Sequence, residues 1–178
     1  MFAKPATRDR SRIARRSSRV ACKKDQLLSS FNEFGLAEPI LRALVEEKYV
    51  TPTPIQTQTI PVALAGRDVI GIAQTGTGKT AAFALPILHY LQSEPRRPDP
   101  KSARVLVLSP TRELSGQILD SFRTYGRHLR ITSALAIGGV SMGAQVRALS
   151  GGVDVFVATP GRLLDLVNNR ALRLDKVE

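Results

Sequence analysis

The sequence predicts an α/β fold, in which a parallel sheet is covered by helices on both faces. Two observations lead to this prediction. Short apolar runs rich in valine, isoleucine and leucine recur along the chain, and stretches with helical periodicity separate them. Strands of a parallel sheet are buried on both faces, so they read as continuous apolar runs joined by helices. The length of 178 residues fits one domain.

Three helices and one strand are predicted before residue 95. In chain order these are a helix over residues 36–47, a proline- and threonine-rich loop over 49–56, a helix over 58–64, a strand over 68–73 and a helix over 79–91. The first helix is amphipathic, because Ile40, Leu41 and Leu44 fall on one stripe. The run DVIGIA at residues 68–73 is short and apolar, which is typical of a buried strand.

Strands and helices alternate after a charged loop at residues 95–101. The predicted strands are ARVLVLSP at 103–110, ITSALAIG at 131–138 and VDVFVATP at 153–160, and the predicted helices cover 113–125, 142–149 and 161–168. A helix follows each strand, as expected of βαβ units. The carboxyl ends of these strands are therefore expected to share one edge of the sheet.

The positive charge is concentrated at the start of the chain. The sequence has 26 Lys and Arg residues against 15 Asp and Glu residues, a net charge of +11. Residues 1–30 hold nine of the basic and two of the acidic residues, and they are predicted to form a disordered basic tail. Such a tail fits an arm that grips phosphate backbones, a solubilising extension, or an organelle transit peptide. The body over residues 31–178 is only mildly basic.

Composition excludes several classes of protein. No apolar run reaches the roughly 18 residues of a membrane-spanning helix, and the start of the chain lacks the apolar core of a secretory signal. One cysteine, Cys22, rules out a disulfide framework within the chain. With only two histidines beside it, it leaves too few soft ligands for most transition-metal sites. We therefore expect a soluble cytoplasmic protein with no membrane partner.

The clearest chemical motif is AQTGTGKT at residues 73–80, which follows a predicted strand and opens a predicted helix. That context is the one a P-loop requires. Gly76 and Gly78 allow a tight turn, so that successive backbone N–H groups and the positive helix end point at phosphate oxygens. Lys79 would reach the β- and γ-phosphates, and the Thr80 hydroxyl would bind Mg²⁺. The predicted nucleotide-binding set is Thr75, Gly76, Thr77, Gly78, Lys79 and Thr80. It indicates the P-loop NTPase fold class and a nucleoside triphosphate site, but not the reaction.

Further motifs give the chain a resemblance to the DEAD-box RNA helicases. YVTPTPIQ at residues 49–56 resembles the adenine-recognising Q motif, and Phe31 stands where that family places an isolated aromatic residue. PTREL at 110–114, the glycine pair at 138–139 and TPGR at 159–162 resemble motif Ia, the glycine doublet and motif Ib, in the family's order. Within that family the motifs resemble those of the bacterial helicases of the RhlE type. The resemblance implies a RecA-like sheet and ATP-dependent separation of RNA strands.

The resemblance implies an adenine site around Gln56. A glutamine amide both donates and accepts, so it can meet the N6 amine and N7 of adenine together, which guanine does not permit. Tyr49 or Phe31 would stack on the base, and Thr51 belongs to the same implied site. Taken alone, either aromatic residue also fits ordinary core packing. ATP and Mg²⁺ are the expected cofactors.

The resemblance also implies a path for one RNA strand. Its residues lie in loops after the carboxyl ends of predicted strands, where open parallel sheets bind ligands. They are Thr111, Arg112, Gly138, Gly139, Thr159 and Arg162. Guanidinium groups, hydroxyls and open backbone N–H groups suit phosphate and sugar oxygens rather than base edges. The expected partner is therefore RNA, bound without regard to its sequence, and no protein partner is indicated.

The sequence departs from the family pattern in three places. Lys48 stands where the family usually has glycine, and Ser115 where it usually has alanine. The third departure is the absence of the Asp-Glu-Ala-Asp motif, whose carboxylates hold Mg²⁺ and position water. Residues 31–178 are thus expected to be a partial first RecA-like domain, ending just before that motif and without the second RecA-like domain.

This departure bears on activity. Lys79 and Thr80 would assist a catalytic set that is incomplete, so we expect no ATP hydrolysis by this chain alone. The alternative to a helicase is accordingly an inactive fragment that binds ATP and RNA. The strands at 68–73 and 103–110 are also expected to lack the two strands that separate them in the family's sheet.

Overall fold

The computed structural model describes residues 30–178. The predicted basic tail, apart from Ser30, lies outside the described residues. The described chain contains a parallel sheet of three strands, β1 (Ala103–Leu108), β2 (Ser133–Ala136) and β3 (Val153–Ala158). Their order is β1-β3-β2, so β3 is central, with Val157 paired to Val107 on one side and to Leu135 on the other. The predicted α/β fold is confirmed.

Six α-helices of the described chain accompany this sheet. They are α1 (Glu38–Glu46), α2 (Pro54–Leu64), α3 (Lys79–Ser93), α4 (Arg112–Tyr125), α5 (Met142–Leu149) and α6 (Pro160–Asn168), preceded by a short 3₁₀ helix (Phe31–Phe34). The second helix begins at Pro54 rather than at residue 58, because proline suits the first helical position and Gln56 bonds back to Thr53. Among residues 30–178, no helix combines the length and apolar character that crossing a bilayer requires.

The side chains of β3 alternate between two apolar cores. Val155 and Val157 face a core that contains side chains from the 3₁₀ helix and from α1 to α4. Phe156 and Ala158 face a second core with side chains from α5 and α6. Every residue of β3 is buried. Helices therefore cover both faces of the sheet, as predicted.

The prediction of a strand at residues 68–73 is wrong. These residues have no strand conformation, and no strand within residues 30–178 pairs with them. The residues Ile70 and Ile72 are 92% and 90% exposed. A strand needs partners for its backbone N–H and C=O groups, and apolar side chains cannot supply them. The segment leads into the glycine-rich loop without joining the sheet.

Three helices of the described chain are followed by a residue whose backbone has the left-handed conformation. Lys48 follows α1 with a φ of 60°, Gly66 follows α2 with 68°, and Arg170 follows α6 with 53°. After α1, the Tyr49 N–H donates to the Leu44 carbonyl at 2.9 Å, the longer bond of a Schellman motif. Lys48 thus takes a conformation that favours glycine, the residue usual at this position in the resembled family.

The last described residues run along the outer edge of β1. The Arg173 N–H donates to the Lys101 carbonyl at 2.8 Å, and the Glu178 N–H donates to the Arg104 carbonyl at 2.9 Å. The buried Arg104 side chain donates through Nε to Glu178 Oε1 at 2.8 Å, and its Nη1 lies 3.7 Å from Asp154 Oδ1. The Arg104 hydrogen bond lowers the pKa of Glu178 to about 2. The two backbone hydrogen bonds and this charge cluster together hold residues 173–178 beside the sheet.

Candidate nucleotide and RNA sites

The glycine-rich loop at residues 73–80 ends where α3 begins. Gly78 precedes the first helical residue with a φ of 85°, and Gly76 has a φ of 81°. Glycine adopts these left-handed conformations without strain. α3 is 15 residues long, so its unpaired N–H groups and partial positive charge are presented to the loop. The loop and helix junction lies where the sequence predicts the P-loop.

The Lys79 ammonium is held by the backbone of its own loop. Its Nζ donates to the Ala73 carbonyl at 2.6 Å and to the Gln74 carbonyl at 2.5 Å. Thr77 Oγ1 also donates to the Gln74 carbonyl, at 2.8 Å. A cation in a glycine-rich turn at a helix N-terminus suits an anion such as phosphate. Thr80 follows in the first turn of α3 and is partly exposed.

Gln56 links α2 to the loop. The residue is 1% exposed, its Oε1 accepts from the Thr53 N–H at 2.9 Å, and its Nε2 donates to the Gly78 carbonyl at 3.2 Å. Any side chain at Gly78 would collide with this amide. Thr53 adds a second link, because its hydroxyl donates to the Thr77 carbonyl at 2.8 Å. The structure thus brings Gln56 to the P-loop.

Phe31 and Tyr49 lie in a separate apolar cluster. The Phe31 and Tyr49 rings meet edge to face with centroids 6.1 Å apart, and Tyr49 meets Tyr125 at 5.7 Å. The Tyr49 and Tyr125 hydroxyls are hydrogen-bonded at 3.0 Å, and burial raises the pKa of Tyr125. Both Phe31 and Tyr49 line a cavity of about 230 Å³ to which Gln56 does not contribute. Their rings pack with the core, and Thr51 is exposed.

Three loops meet at the carboxyl edge of the sheet. They follow β1, β2 and β3 and line an open cavity of about 540 Å³. The predicted RNA-binding residues that line it are Thr111, Arg112, Gly138, Thr159 and Arg162. Glu113 and Asp165 line it as well, so their two negative charges offset the positive charges of Arg112 and Arg162. An anionic strand here would depend on hydroxyls and backbone N–H groups as much as on charge.

Arg112 and Arg162 are oriented differently in this cavity. Arg112 is exposed, and its guanidinium lies against the glycine doublet, where a Cβ on Gly139 would collide with it. The Arg162 side chain is only 10% exposed. Its Nη1 donates to the Val140 carbonyl at 3.1 Å and to Gln145 Oε1 at 2.9 Å. Arg112 is thus available to a phosphate, whereas Arg162 is turned into the protein.

Thr53 contacts the P-loop, and Gln145 contacts the glycine-doublet loop and Arg162. Neither residue was among the predicted site residues. Both carry a signal in the sequence. Thr53 and Gln56 have the spacing of a capping box, in which the two residues bond across a helix start. Gln145 lies on the apolar stripe of α5 with Met142 and Leu149, and a polar residue there requires buried partners.

The chain is similar in sequence to known proteins. Residues 53–178 match the DEAD/DEAH box helicase family. The chain is 50% identical over 143 residues to the ATP-dependent rRNA helicase RRP3 of Pyricularia oryzae, a match that covers 80% of this chain and 26% of that protein. It is 45% identical over 150 residues to the ATP-dependent RNA helicase DeaD of Escherichia coli, covering 84% of this chain and 23% of that protein.

A solved structure supports the fold directly. The RNA helicase Prp28 from Chaetomium thermophilum, in a crystal structure with ADP, matches with a TM-score of 0.77 and 40% identity over 86% of this chain and 37% of that one. The predicted RecA-like fold is thereby confirmed. The chain spans about a quarter of the length of the two curated relatives. Because the family match covers more than half of the chain, the chain belongs to the DEAD/DEAH box helicase family.

Proposed function

We propose that residues 30–178 bind ATP and RNA in an ATP-dependent RNA helicase. The observation that carries this proposal is the P-loop, in which Lys79 is held in a glycine-rich turn and Gln56 bonds to the same turn. The relatives are named as ATP-dependent helicases of RNA or rRNA, and the solved neighbour is bound to ADP. We propose RNA unwinding for this protein too, although the chain spans only about a quarter of its relatives' length.

Binding of ATP would displace the carbonyls that now hold Lys79. Phosphate oxygens carry charge, so Lys79 and the N–H groups at the start of α3 would bond to them more strongly than to neutral carbonyls. When bound, Mg²⁺ would neutralise part of the phosphate charge, and Thr80, at the start of α3, would supply a hydroxyl ligand to it. The residues present therefore fit the phosphates of a nucleotide and offer one hydroxyl for Mg²⁺, without the carboxylates that hold the metal in the resembled family.

Gln56 would confer the preference for adenine. An amide can donate and accept once more beyond the two bonds that Gln56 makes within the protein, which is the pairing that adenine N7 and N6 require. Because Gln56 is buried, binding of the base would have to expose this amide. The same amide donates to the Gly78 carbonyl. Recognition of the base and conformation of the P-loop would therefore be coupled through one side chain.

One RNA strand would follow the cavity at the carboxyl ends of the strands. Arg112 supplies a forked charge for a phosphate, Thr111 and Thr159 supply hydroxyls, and the glycine doublet at 138–139 supplies open N–H groups. None of these groups is placed to distinguish bases by type, so binding should be independent of sequence.

Two finer assignments rest on the sequence. The RhlE-type subgroup is proposed from the resemblance of the motifs, while the relatives named above are a fungal rRNA helicase and bacterial DeaD. A cytoplasmic location is proposed because the sequence has a single cysteine, which suits a reducing compartment.

Nucleotide titrations test the first part of the proposal. Fluorescent ADP and GDP, each with Mg²⁺, are titrated into the wild type, Gln56→Ala and Gln58→Ala, whose altered residue is exposed on the same helix. ADP should bind more tightly than GDP, and this preference should shrink only in Gln56→Ala. Equal affinity of the wild type for both nucleotides would refute adenine recognition.

Fluorescence anisotropy with single-stranded RNAs of unlike sequence tests the second part. Arg112→Ala should weaken the binding of every RNA by a similar factor, because a phosphate contact carries no sequence information. Arg123→Ala, an exposed change further along α4, is the matched control. A loss of affinity confined to some sequences would count against backbone recognition.

A further inference from the structure

A pair of side chains brackets the glycine doublet. Gln145 Nε2 donates to the Ile137 carbonyl at 3.0 Å, immediately before the doublet. Arg162 Nη1 donates to the Val140 carbonyl at 3.1 Å, immediately after it. The two side chains are joined by the 2.9 Å bond from Arg162 Nη1 to Gln145 Oε1. One amide and one guanidinium thus fix both ends of the loop over residues 137–140.

Gln145 is buried on a helix face that is otherwise apolar. The residue is 8% exposed, and its neighbours on that face of α5, Val146 and Leu149, pack into the core against β2 and β3. A buried amide destabilises a protein unless its donor and acceptor are both bonded, and here both are. The surroundings of Gln145 therefore provide one acceptor and one donor that match the two ends of an amide.

Arg162 depends on Gln145 for its orientation. Its contact with Gln145 Oε1 is the shortest that its guanidinium makes among the described residues, since Val140 O lies at 3.1 Å and Asp165 Oδ2 lies 3.6 Å from Nε. Nε itself is buried without a hydrogen bond in the described chain. Loss of the Gln145 amide would leave this guanidinium held mainly by one backbone carbonyl.

The bracketed loop in turn supports Arg112. The Arg112 guanidinium lies so close to Gly138 and Gly139 that a Cβ on Gly139 would collide with it. A shift of the doublet would therefore move both the open N–H groups of the loop and the exposed guanidinium beside them.

We infer that Gln145 is a positioning residue for RNA binding, which acts by holding Arg162 and the glycine-doublet loop in the arrangement that presents Arg112 to a phosphate. This inference rests on the RNA site proposed above. Gln145 contacts no RNA in this scheme, and its effect passes through the loop.

Three variants of the full chain test the role of Gln145. Gln145→Met keeps the length of the side chain but removes its donor and acceptor. Gln145→Glu keeps an acceptor for Arg162 but removes the donor to Ile137. Gln117→Met makes the same change at an exposed position of α4 and is the control. For each we would measure RNA affinity by anisotropy, ADP affinity, and the NMR signals of the Gly138 and Gly139 amides and the Arg162 Nε–H.

Gln145→Met should weaken RNA binding about tenfold, roughly the factor that one charged contact between Arg112 and a phosphate contributes. It should also shift the signals of the doublet and Arg162, while the ADP affinity stays that of the wild type. Gln145→Glu should restore the Arg162 signal and part of the RNA affinity. Gln117→Met should match the wild type throughout.

Two results would overturn the inference. Unchanged RNA affinity in Gln145→Met is one, and a parallel loss of ADP affinity in Gln145→Met and Gln145→Glu is the other, because it would indicate general unfolding. Failure of the wild type to bind RNA would refute the proposed RNA site. In that case shifted doublet signals would still show that Gln145 positions the loop, and unshifted signals would refute that as well.

Discussion

At the scale of single residues, three of the side chains with candidate functions are already bonded to the protein's own backbone. Lys79 donates to the carbonyls of its loop, Gln56 donates to the Gly78 carbonyl, and Arg162 donates to the Val140 carbonyl. A ligand must replace such bonds, so the binding free energy gains only the difference in strength between the new hydrogen bond and the one it replaces. For Lys79 the difference is favourable, because a phosphate oxygen is charged and a carbonyl is not.

This difference predicts the effect of removing the lysine. Lys79→Ala should weaken the binding of Mg²⁺–ADP by about 1.5–3 kcal/mol, the usual range for a hydrogen bond to a charged group. Isothermal titration calorimetry would measure the loss. Lys176→Ala, which removes an exposed lysine outside the P-loop, should leave the affinity unchanged. Wild-type affinity in Lys79→Ala would show that the ammonium does not reach the phosphates.

At the scale of elements, the ends of the helices show where local strain is stored. Lys48 and Arg170 are left-handed at the ends of α1 and α6, whereas α2 ends with glycine in the same conformation at Gly66. A residue with a Cβ is strained in this conformation by roughly 1–2 kcal/mol, and glycine is not.

Relief of this strain should outweigh the extra freedom that glycine gives the unfolded chain. We expect Lys48→Gly to raise the free energy of unfolding by about 0.5–1 kcal/mol. Gly66→Ala, the reverse change at the end of α2, should lower it. Urea unfolding followed by circular dichroism would compare the two variants. A less stable Lys48→Gly would mean that the left-handed geometry adds no strain there.

The elements also show which parts of the fold the sequence can predict. The strands around Val105, Leu135 and Val155 were predictable because each is an apolar run that finds a neighbour in the described chain. Residues 68–73 have an equally apolar pattern, yet Ile70 and Ile72 are exposed. Side-chain pattern reports a preference for burial, whereas a strand also needs a partner for its backbone. The family resemblance implied that the neighbouring strand would be missing, but the apolar pattern alone still predicted a strand.

The candidate sites divide in a similar way. Motif spacing was sufficient to find the P-loop, Gln56 and the loop residues that line the 540 Å³ cavity. It could not show that Arg162 is turned inward or that Gln145 holds it, because both facts depend on contacts between α5 and α6. The packing of Phe31 and Tyr49 against Tyr125 is likewise a long-range contact.

At the scale of the molecule, one ionic cluster ties the last described residues to the sheet. Arg104 donates to Glu178, which also accepts from Tyr90 and Arg96. Arg104 is buried on β1, and Asp154 on the central strand lies beside it. The cluster therefore joins residue 178, β1 and β3 through charge rather than through apolar contact.

The lowered pKa of Glu178 predicts how this link responds to acid. Its carboxylate form is favoured in the folded state, so it stabilises the fold above its ordinary pKa of 4.5 and ceases to do so as the pH falls towards 2. Thermal melts of the wild type should therefore decline over this range more steeply than those of Glu178→Gln. Glu94→Gln, a change at an exposed glutamate, should follow the wild type. Parallel curves for the wild type and Glu178→Gln would contradict the role of Arg104.

The exposed apolar segment next to the P-loop predicts how whole molecules interact with one another. Ile70 and Ile72 are almost fully exposed on a run with high strand propensity, and such runs pair with other chains when no internal strand covers them. We expect the chain to self-associate through this segment, and the double variant Ile70→Lys, Ile72→Lys to reduce light scattering and dye binding. Its melting temperature should stay close to that of the wild type, because exposed substitutions change stability by only about 0.5 kcal/mol.

The control for this prediction is Val45→Lys, which places a lysine at a residue 74% exposed on α1. It adds positive charge at an exposed apolar position, but on a helix whose backbone groups are already bonded. It should therefore scatter light as the wild type does. If Val45→Lys suppresses association as strongly as the double variant, net charge is the cause, and the segment at residues 68–73 is not the site of contact between molecules.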